Sequence, residues 1–184
     1  MHNKPFIAAF TFLIAMVVCS PLHAETYFVG PGDRLEISVW RDETLSREIV
    51  VPPDGILSFP LIGDVNVANM SVAQIRETIK KRLAEYVPDA SVSVILKEIN
   101  SLKAYVIGQV KSPGEFDITL ESRVMQLLAK AGGLTPFAAE RDIHILRYQG
   151  KKIEKIGFDY KEVLKGNNLE QDIVLKRGDV LVVP

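Results

Sequence analysis

Leu35, Ile37 and Val39 alternate with Glu36, Ser38 and Trp40, and the same two-residue period returns at Val92, Val94 and Leu96 and at Ile143 and Ile145. Successive strand residues point to opposite faces, so this pattern obliges the chain to pair short, half-buried strands. Clusters of turn residues punctuate them: Gly30-Pro31-Gly32-Asp33, Pro53-Asp54-Gly55, Gly63-Asp64, Ser112-Pro113-Gly114 and Gln149-Gly150-Lys151. Two helices interrupt the strands. Ser71 and Gln74 form a capping box, with Met70 and Ile75 at the hydrophobic-staple positions. Val72, Ile75, Ile79, Leu83 and Tyr86 then share one face, and Pro88 is expected to stop the helix. The second helix is expected from about Ser122 to Ala131, burying Val124, Leu127 and Leu128 and ending at Gly132-Gly133.

The order of these elements divides the chain near Asn100. In the first unit, Pro53-Asp54-Gly55 lies between Glu48–Val51 and Ile56–Phe59, which predicts a hairpin of those two strands. The strand pattern continues through Leu61–Val67, and after the capped helix Val92–Leu96 closes a small α+β unit. The second unit reads strand Ala104–Val110, turn, strand Glu115–Thr119, helix, then strands around Ile143, Ile153–Ile156 and Val180–Val183. Asp159–Leu164 is at most a short helix. Strand–turn–strand, helix, further strands is the order of a β-grasp module. The predicted class is therefore α+β. Pro31-Gly32-Asp33-Arg34-Leu35 is echoed by Arg177-Gly178-Asp179-Val180-Leu181, and the echo alone reads as two ordinary turns.

The first 24 residues read as an export signal. Lys4 gives a short positive start, and Phe6–Val18 is an apolar run broken only by Thr11, too short for a spanning helix of about 20 residues. Leu22-His23-Ala24 fits the small-residue cleavage pattern, which puts the cut between Ala24 and Glu25 and leaves 160 of the 184 residues. Lipid attachment at Cys19 is the less favoured alternative, because Val18 is a β-branched residue where that processing wants a small one. Cleavage removes the single cysteine and two of the three histidines. The expected product, a signal peptide of 1–24 apart, consists of units 25–99 and 100–184, folding outside the cytoplasm without disulfides. Its size is enough to bury a core without such staples.

In serial order, Tyr27, Val29-Gly30-Pro31-Gly32-Asp33, Leu35 and Ile37, then Pro53-Asp54-Gly55, Pro60-Leu61-Ile62-Gly63, the capped helix, and Val92 and Val94 resemble the polysaccharide export domain. That domain belongs to the export proteins of capsule and exopolysaccharide systems. Val106-Ile107-Gly108, Val110 and Pro113-Gly114, through to Leu128 and Ala131-Gly132-Gly133, are similar to the soluble-ligand-binding β-grasp (SLBB) domain that follows it in that family. The resemblance covers essentially the whole expected product. Gly178-Asp179 joins the family-like turn residues through the echo. Three departures stand out. Asn69 occupies the place of the family's glycine before the capped helix, where Asn can still hold a left-handed backbone. The lipid-bearing cysteine context is poor. No second β-grasp repeat or membrane-crossing helix follows Val183-Pro184, so a pore-forming helix is not expected.

Enzyme chemistry finds little support. His144 is the only histidine after the cleavage point and sits among alternating apolar residues, with no cysteine or acidic ligand spacing beside it. Nucleophile-elbow and phosphate-loop sequences are absent. Asp33, Asp54, Asp64 and Asp179 lie in turns, where carboxylates accept local backbone N–H bonds. A formal charge of −1 lacks the basic footprint of a nucleic-acid binder, and Lys80-Lys81-Arg82 fits the polar face of a helix. Trp40 and Tyr27 are the candidate contacts to glycan or to a neighbouring subunit. No catalytic, cofactor-binding or metal-ligating residue is assigned.

The resemblance implies a periplasmic component of a capsule or exopolysaccharide exporter, associated with the outer membrane through its partners. It implies a ring of like subunits that guides polysaccharide, an inner-membrane polysaccharide co-polymerase on one side, and a separate outer-membrane β-barrel on the other. Two other readings stay open at this point: a monomeric glycan-binding tether, and a small hydrolase using two carboxylates.

Overall fold

A computed structural model describes residues 26–184. The expected cleavage between Ala24 and Glu25, and Cys19, lie outside the described residues.

β1 (Arg34–Val39) is the centre of a three-stranded antiparallel sheet, flanked by β2 (Asp42–Val50) and β5 (Val92–Glu98). Its alternation puts Leu35, Ile37 and Val39 into the core and Arg34, Glu36 and Ser38 on the outer face. The outer face is stitched by charge: Lys97 Nζ lies 2.9 Å from Glu36 and Arg34 Nε lies 3.2 Å from Glu98. A second hairpin, β3 (Ile56–Phe59) with β4 (Gly63–Asn66), and the helix α1 (Val72–Leu83) close the unit. Ile75, Ile79 and Leu83 of α1 pack with Leu57, Phe59 and Val65 against β1.

The predicted pairing of Glu48–Val51 with Ile56–Phe59 is corrected. β2 pairs instead with β1, Arg34 opposite Val50 and Glu36 opposite Glu48, and β3 pairs with β4. A two-residue turn at Trp40-Arg41 puts β2 beside β1 at once, with Arg41 taking φ 65°. Pro52 and Pro53 offer no backbone N–H, so the ladder cannot run through into β3. The Gly55 N–H then closes the turn onto Pro52 O at 2.9 Å.

α1 begins as its capping box requires: Ser71 N–H donates to Gln74 Oε1 (2.8 Å), and Gln74 N–H to Ser71 Oγ (3.3 Å). Asn69, just upstream, has φ 56°, the left-handed backbone that Asn tolerates. The helix ends at Leu83, five residues before Pro88, so the expected stop is corrected. Tyr86 falls outside it and is exposed. Lys80, Lys81 and Arg82 occupy the last turn, where positive charge suits the C-terminal end of the helix dipole.

The second unit is a five-stranded sheet in the order β7-β6-β10-β8-β9. Its strands are β6 (Lys103–Gly108), β7 (Gly114–Asp117), β8 (Ile143–Gln149), β9 (Lys152–Phe158) and β10 (Val180–Val183). The last strand is central: β10 runs parallel to β6 and antiparallel to β8. α2 (Val124–Lys130) buries Val124, Leu127 and Leu128 against Ala104, Val106, Ile145 and Leu181, and α3 (Tyr160–Leu164) adds Val163. α2 is shorter than the predicted Ser122–Ala131, because Ser122 Oγ accepts the Thr119 N–H and holds the loop before it. Gly108 is required where it stands. Its φ is 96°, and a Cβ there would lie 1.9 Å from Val183 O in the neighbouring strand. The chain is thus an α+β protein with one hydrophobic core on each side of residues 95–101.

Candidate functional site

The two turns of the sequence echo are built alike. Gly32 and Gly178 have φ 90° and 79°. The Asp33 N–H donates to Gly30 O and the Asp179 N–H to Lys176 O, while each carboxylate accepts the N–H three residues back, both at 2.8 Å. The glycine N–H of each turn and the aspartate C=O bond one neighbouring segment: Val51 for the first turn, Lys103 and Tyr105 for the second.

The other carboxylate oxygen separates the two. Asp179 Oδ1 accepts Arg147 Nε at 3.0 Å while Oδ2 takes Nη2 at 2.7 Å, a bidentate pair within the second unit. Asp33 Oδ1 instead accepts the N–H groups of Asn100 (3.0 Å) and Ser101 (2.9 Å), at the junction of the two units. Tyr27 Oη donates to Asp33 Oδ2 and lies 3.0 Å from Ser101 Oγ, and its ring packs against both cores. Burial alone would raise Asp33, but the bonds from Tyr27, Gly30 and Ser101 outweigh it and hold the carboxyl below its ordinary value. The same burial, with the bond to the carboxylate, pushes the Tyr27 hydroxyl up to about 12. Arg177, in the second turn, completes the seam: its Nη2 donates to Phe28 O at 2.9 Å, and its guanidinium fills the space where a Gly30 Cβ would stand, 1.9 Å away. A cleft of about 510 Å³ opens beside this seam, lined by Tyr27, Phe28, Asn69, Leu120 and Arg177 among others.

The turn aspartates therefore do more than the local bonding expected of them. Asp33 and Asp179 are fully buried and engaged, whereas Asp54 accepts only the Ile56 N–H (3.0 Å) and Asp64 is exposed. Sequence reasoning missed Ser101 and Arg147, and it gave Asn100 and Arg177 no role beyond a unit boundary and a turn. Nothing local marks these roles, because the partners lie 32 to 149 positions away in the chain. Gly55, Gly63, Gly114, Gly132 and Gly133 all take positive φ in the turns that resemble the family's, and Pro113 precedes Gly114 in one of them. His144 has a ring nitrogen 3.0 Å from Asp142 O, and among the described residues no three His, Cys, Asp or Glu side chains gather as a metal site.

Tyr27 and Trp40, paired as candidate contacts, lie in different settings. Tyr27 is committed to the seam. Trp40 stands at the β1–β2 turn, 73% exposed, above a second hollow of about 450 Å³ lined by Ser38, Glu43, Ser91 and Ser93.

A small sheet with a capped helix, locked through a buried aspartate to a β-grasp sheet, defines a protein of the export-domain-plus-SLBB class. Residues 22–97 match the family of polysaccharide biosynthesis/export proteins and residues 103–157 match the SLBB domain. The chain belongs to the polysaccharide biosynthesis/export family. Among curated proteins it is 30% identical over 111 residues to the polysialic acid transport protein KpsD of Escherichia coli, covering 60% of this chain and 20% of that one. It is 25% identical over 180 residues to the capsule polysaccharide export outer membrane protein CtrA of Neisseria meningitidis serogroup A, covering 88% and 45%. It is 27% identical over 153 residues to the EPS I polysaccharide export outer membrane protein EpsA of Ralstonia nicotianae, covering 70% and 40%. The chain thus spans less than half the length of each of these relatives.

Proposed function

We propose that this protein is a periplasmic component of a capsule or exopolysaccharide export machine, guiding polymer toward and across the outer membrane as one subunit of a ring. The observation that carries this reading is the serial match of both halves, export domain then SLBB domain, to one family whose named relatives are transport and export proteins. The division of labour is taken at 25–99 and 100–184, and the Asp33 seam supports it: two sheets locked at a fixed angle make a subunit that can tile a ring without deforming. Polymer passes by weak contacts and no bond is made or broken, so no catalytic residue or cofactor is invoked.

No helix among the described residues is long and apolar enough to cross a membrane. In this reading a separate outer-membrane β-barrel supplies the pore and an inner-membrane polysaccharide co-polymerase hands the polymer on. Deletion of the gene tests the proposal. Loss of surface polysaccharide with polymer accumulating in the periplasm is expected, and unchanged surface polysaccharide overturns it. Mass-resolved chromatography of the exported protein tests the ring, which a strictly monomeric profile at all concentrations would remove.

A further inference from the structure

The β1–β2 turn holds the one tryptophan of the chain largely in water, an expensive placement for the largest apolar side chain. Its backbone is fixed rather than trailing: the main-chain N–H of Trp40 donates to Ser91 O at 2.9 Å, and Val39 pairs with Asp42 across the turn. The surroundings are hydroxylic. Ser38 and Ser93 face each other across β1 and β5 on the outer side of the sheet, and Ser91 sits one turn of the pleat further on. The local bonding is done by other groups. Asp42 Oδ1 accepts from Thr44 N–H, Thr44 Oγ1 and Leu45 N–H, and Ser46 Oγ bonds the backbone of Val39 and Asp42. That leaves the hydroxyls of Ser38, Ser91 and Ser93 and the Glu43 carboxylate without a protein partner among the described residues.

We propose that this hollow is a carbohydrate subsite that takes one pyranose unit of a glycan chain. A pyranose has an apolar C–H face and a rim of hydroxyls. The Trp40 ring offers a flat apolar surface to the first, and the three serines and Glu43 offer donors and acceptors to the second. The hollow, about 450 Å³, lies within the range of small-ligand sites, about 300–1,000 Å³. A protein contact fits less well, because the cores of protein interfaces are depleted in Ser, Glu and Asp, and Ser38, Asp42, Glu43, Ser91 and Ser93 make up most of the lining. The openness of the site makes it weak, which suits a surface over which polymer must slide. This inference rests on the export reading for its ligand but is tested apart from it.

Because Trp40 is the sole tryptophan, the emission of the full chain reports on this site directly. The probe is short oligosaccharides released by mild acid from the producing bacterium's own surface polysaccharide, with dextran oligosaccharides alongside. Saturable quenching or a blue shift is expected with at least one of them. Calorimetry should show binding weakened about five- to tenfold in Trp40→Ala and largely kept in Trp40→Tyr. Equal binding by Trp40→Ala, or no binding of any probe by the wild type, overturns the subsite. An emission shift that follows protein concentration without glycan would also overturn it, in favour of a subunit contact. In cells, Trp40→Ala should lower surface polymer while deletion abolishes it. Normal export by Trp40→Ala with loss on deletion sinks the subsite alone, whereas normal export on deletion sinks the export reading.

Discussion

The turns Gly30–Asp33 and Lys176–Asp179 close with the same backbone bond, the same carboxylate bond and a left-handed glycine in the same place, yet their aspartates face different partners. Asp179 spends its remaining capacity on Arg147, a charge buried beside it in the same core. Asp33 spends it on neutral groups, two backbone N–H donors at the junction and the Tyr27 hydroxyl. The difference teaches that a turn motif fixes its own geometry but not its reach. One copy neutralises a buried cation, and the other fastens two folding units together.

The largest effect is expected where a charge would be stranded. The Arg147 side chain is 10% exposed and that of Asp179 1%, so Asp179→Ala leaves a guanidinium buried without its counter-ion, at a cost of about 3–5 kcal/mol in urea melts. The double variant Arg147→Met with Asp179→Leu should recover part of that loss, since it strands no charge, although the Lys176 N–H and Val174 O lose their side-chain partners. If the double variant is no better than the single one, the pair is not the reason Asp179 matters.

Asp33→Asn should cost less, about 2–3 kcal/mol, because the amide keeps one acceptor and strands neutral donors rather than a charge. It should also differ in kind. Asp33 is held below its ordinary value of 3.8, so its contribution is full above that pH and is lost as pH falls through the lower folded value. The wild type should therefore lose stability below about pH 4 more steeply than Asp33→Asn, and parallel acid curves would remove the carboxylate from the seam.

How far these differences were legible depends on sequence distance. The β1 alternation and the Ser71–Gln74 box are local and were readable from neighbours alone, whereas the left-handed Asn69 was readable only from the family's glycine at that place. The β1–β2 hairpin was not. Its turn, Trp40-Arg41, carries no glycine, asparagine or proline, while the louder Pro53-Asp54-Gly55 signal belongs to a bend between two sheets. The helix end at Leu83 was hidden for a similar reason, since Pro88 marks where a helix must stop and not where packing lets it fray. Asp33 and Asp179 were identified as turn residues, which they are. Their long-range partners could not be read, because nothing local to Ser101 or Arg147 points to a residue so far away in the chain.

Gly30→Ala probes the seam from its other side. Gly30 has an ordinary φ, so any strain comes from the Arg177 guanidinium that occupies the Cβ position. A long side chain can swing away, giving up its bond to Phe28 O, so the expected cost is about 1 kcal/mol, the worth of one hydrogen bond. The change has no counterpart at the second turn, where the equivalent position is Lys176 and already carries a side chain. Limited proteolysis between Asn100 and Lys103 should quicken in Gly30→Ala, and Arg177→Ala should quicken it equally. Unchanged cleavage in both would show that Asp33 and Tyr27 hold the units without Arg177.

The smallest effect belongs to Tyr27→Phe, and its interest lies in its pH dependence. The ring and its packing against both cores are kept, and Asp33 keeps three N–H donors, so the loss at neutral pH should be about 0.5–1 kcal/mol. In the folded protein the hydroxyl is raised to about 12 from an ordinary 10.0, first by burial and then by its bond to the Asp33 carboxylate. A raised value means that folding favours the protonated phenol. Its contribution is complete below pH 10 and disappears as pH climbs through about 12. The stability gap between wild type and Tyr27→Phe should therefore be constant from neutral pH up to pH 10 and close above it. Asp33→Asn in the same background should narrow the gap at every pH, because the amide is the poorer acceptor for the phenol. A gap that instead widens with alkali would mean that folding favours the phenolate, and would remove the Tyr27 hydroxyl as a donor to Asp33.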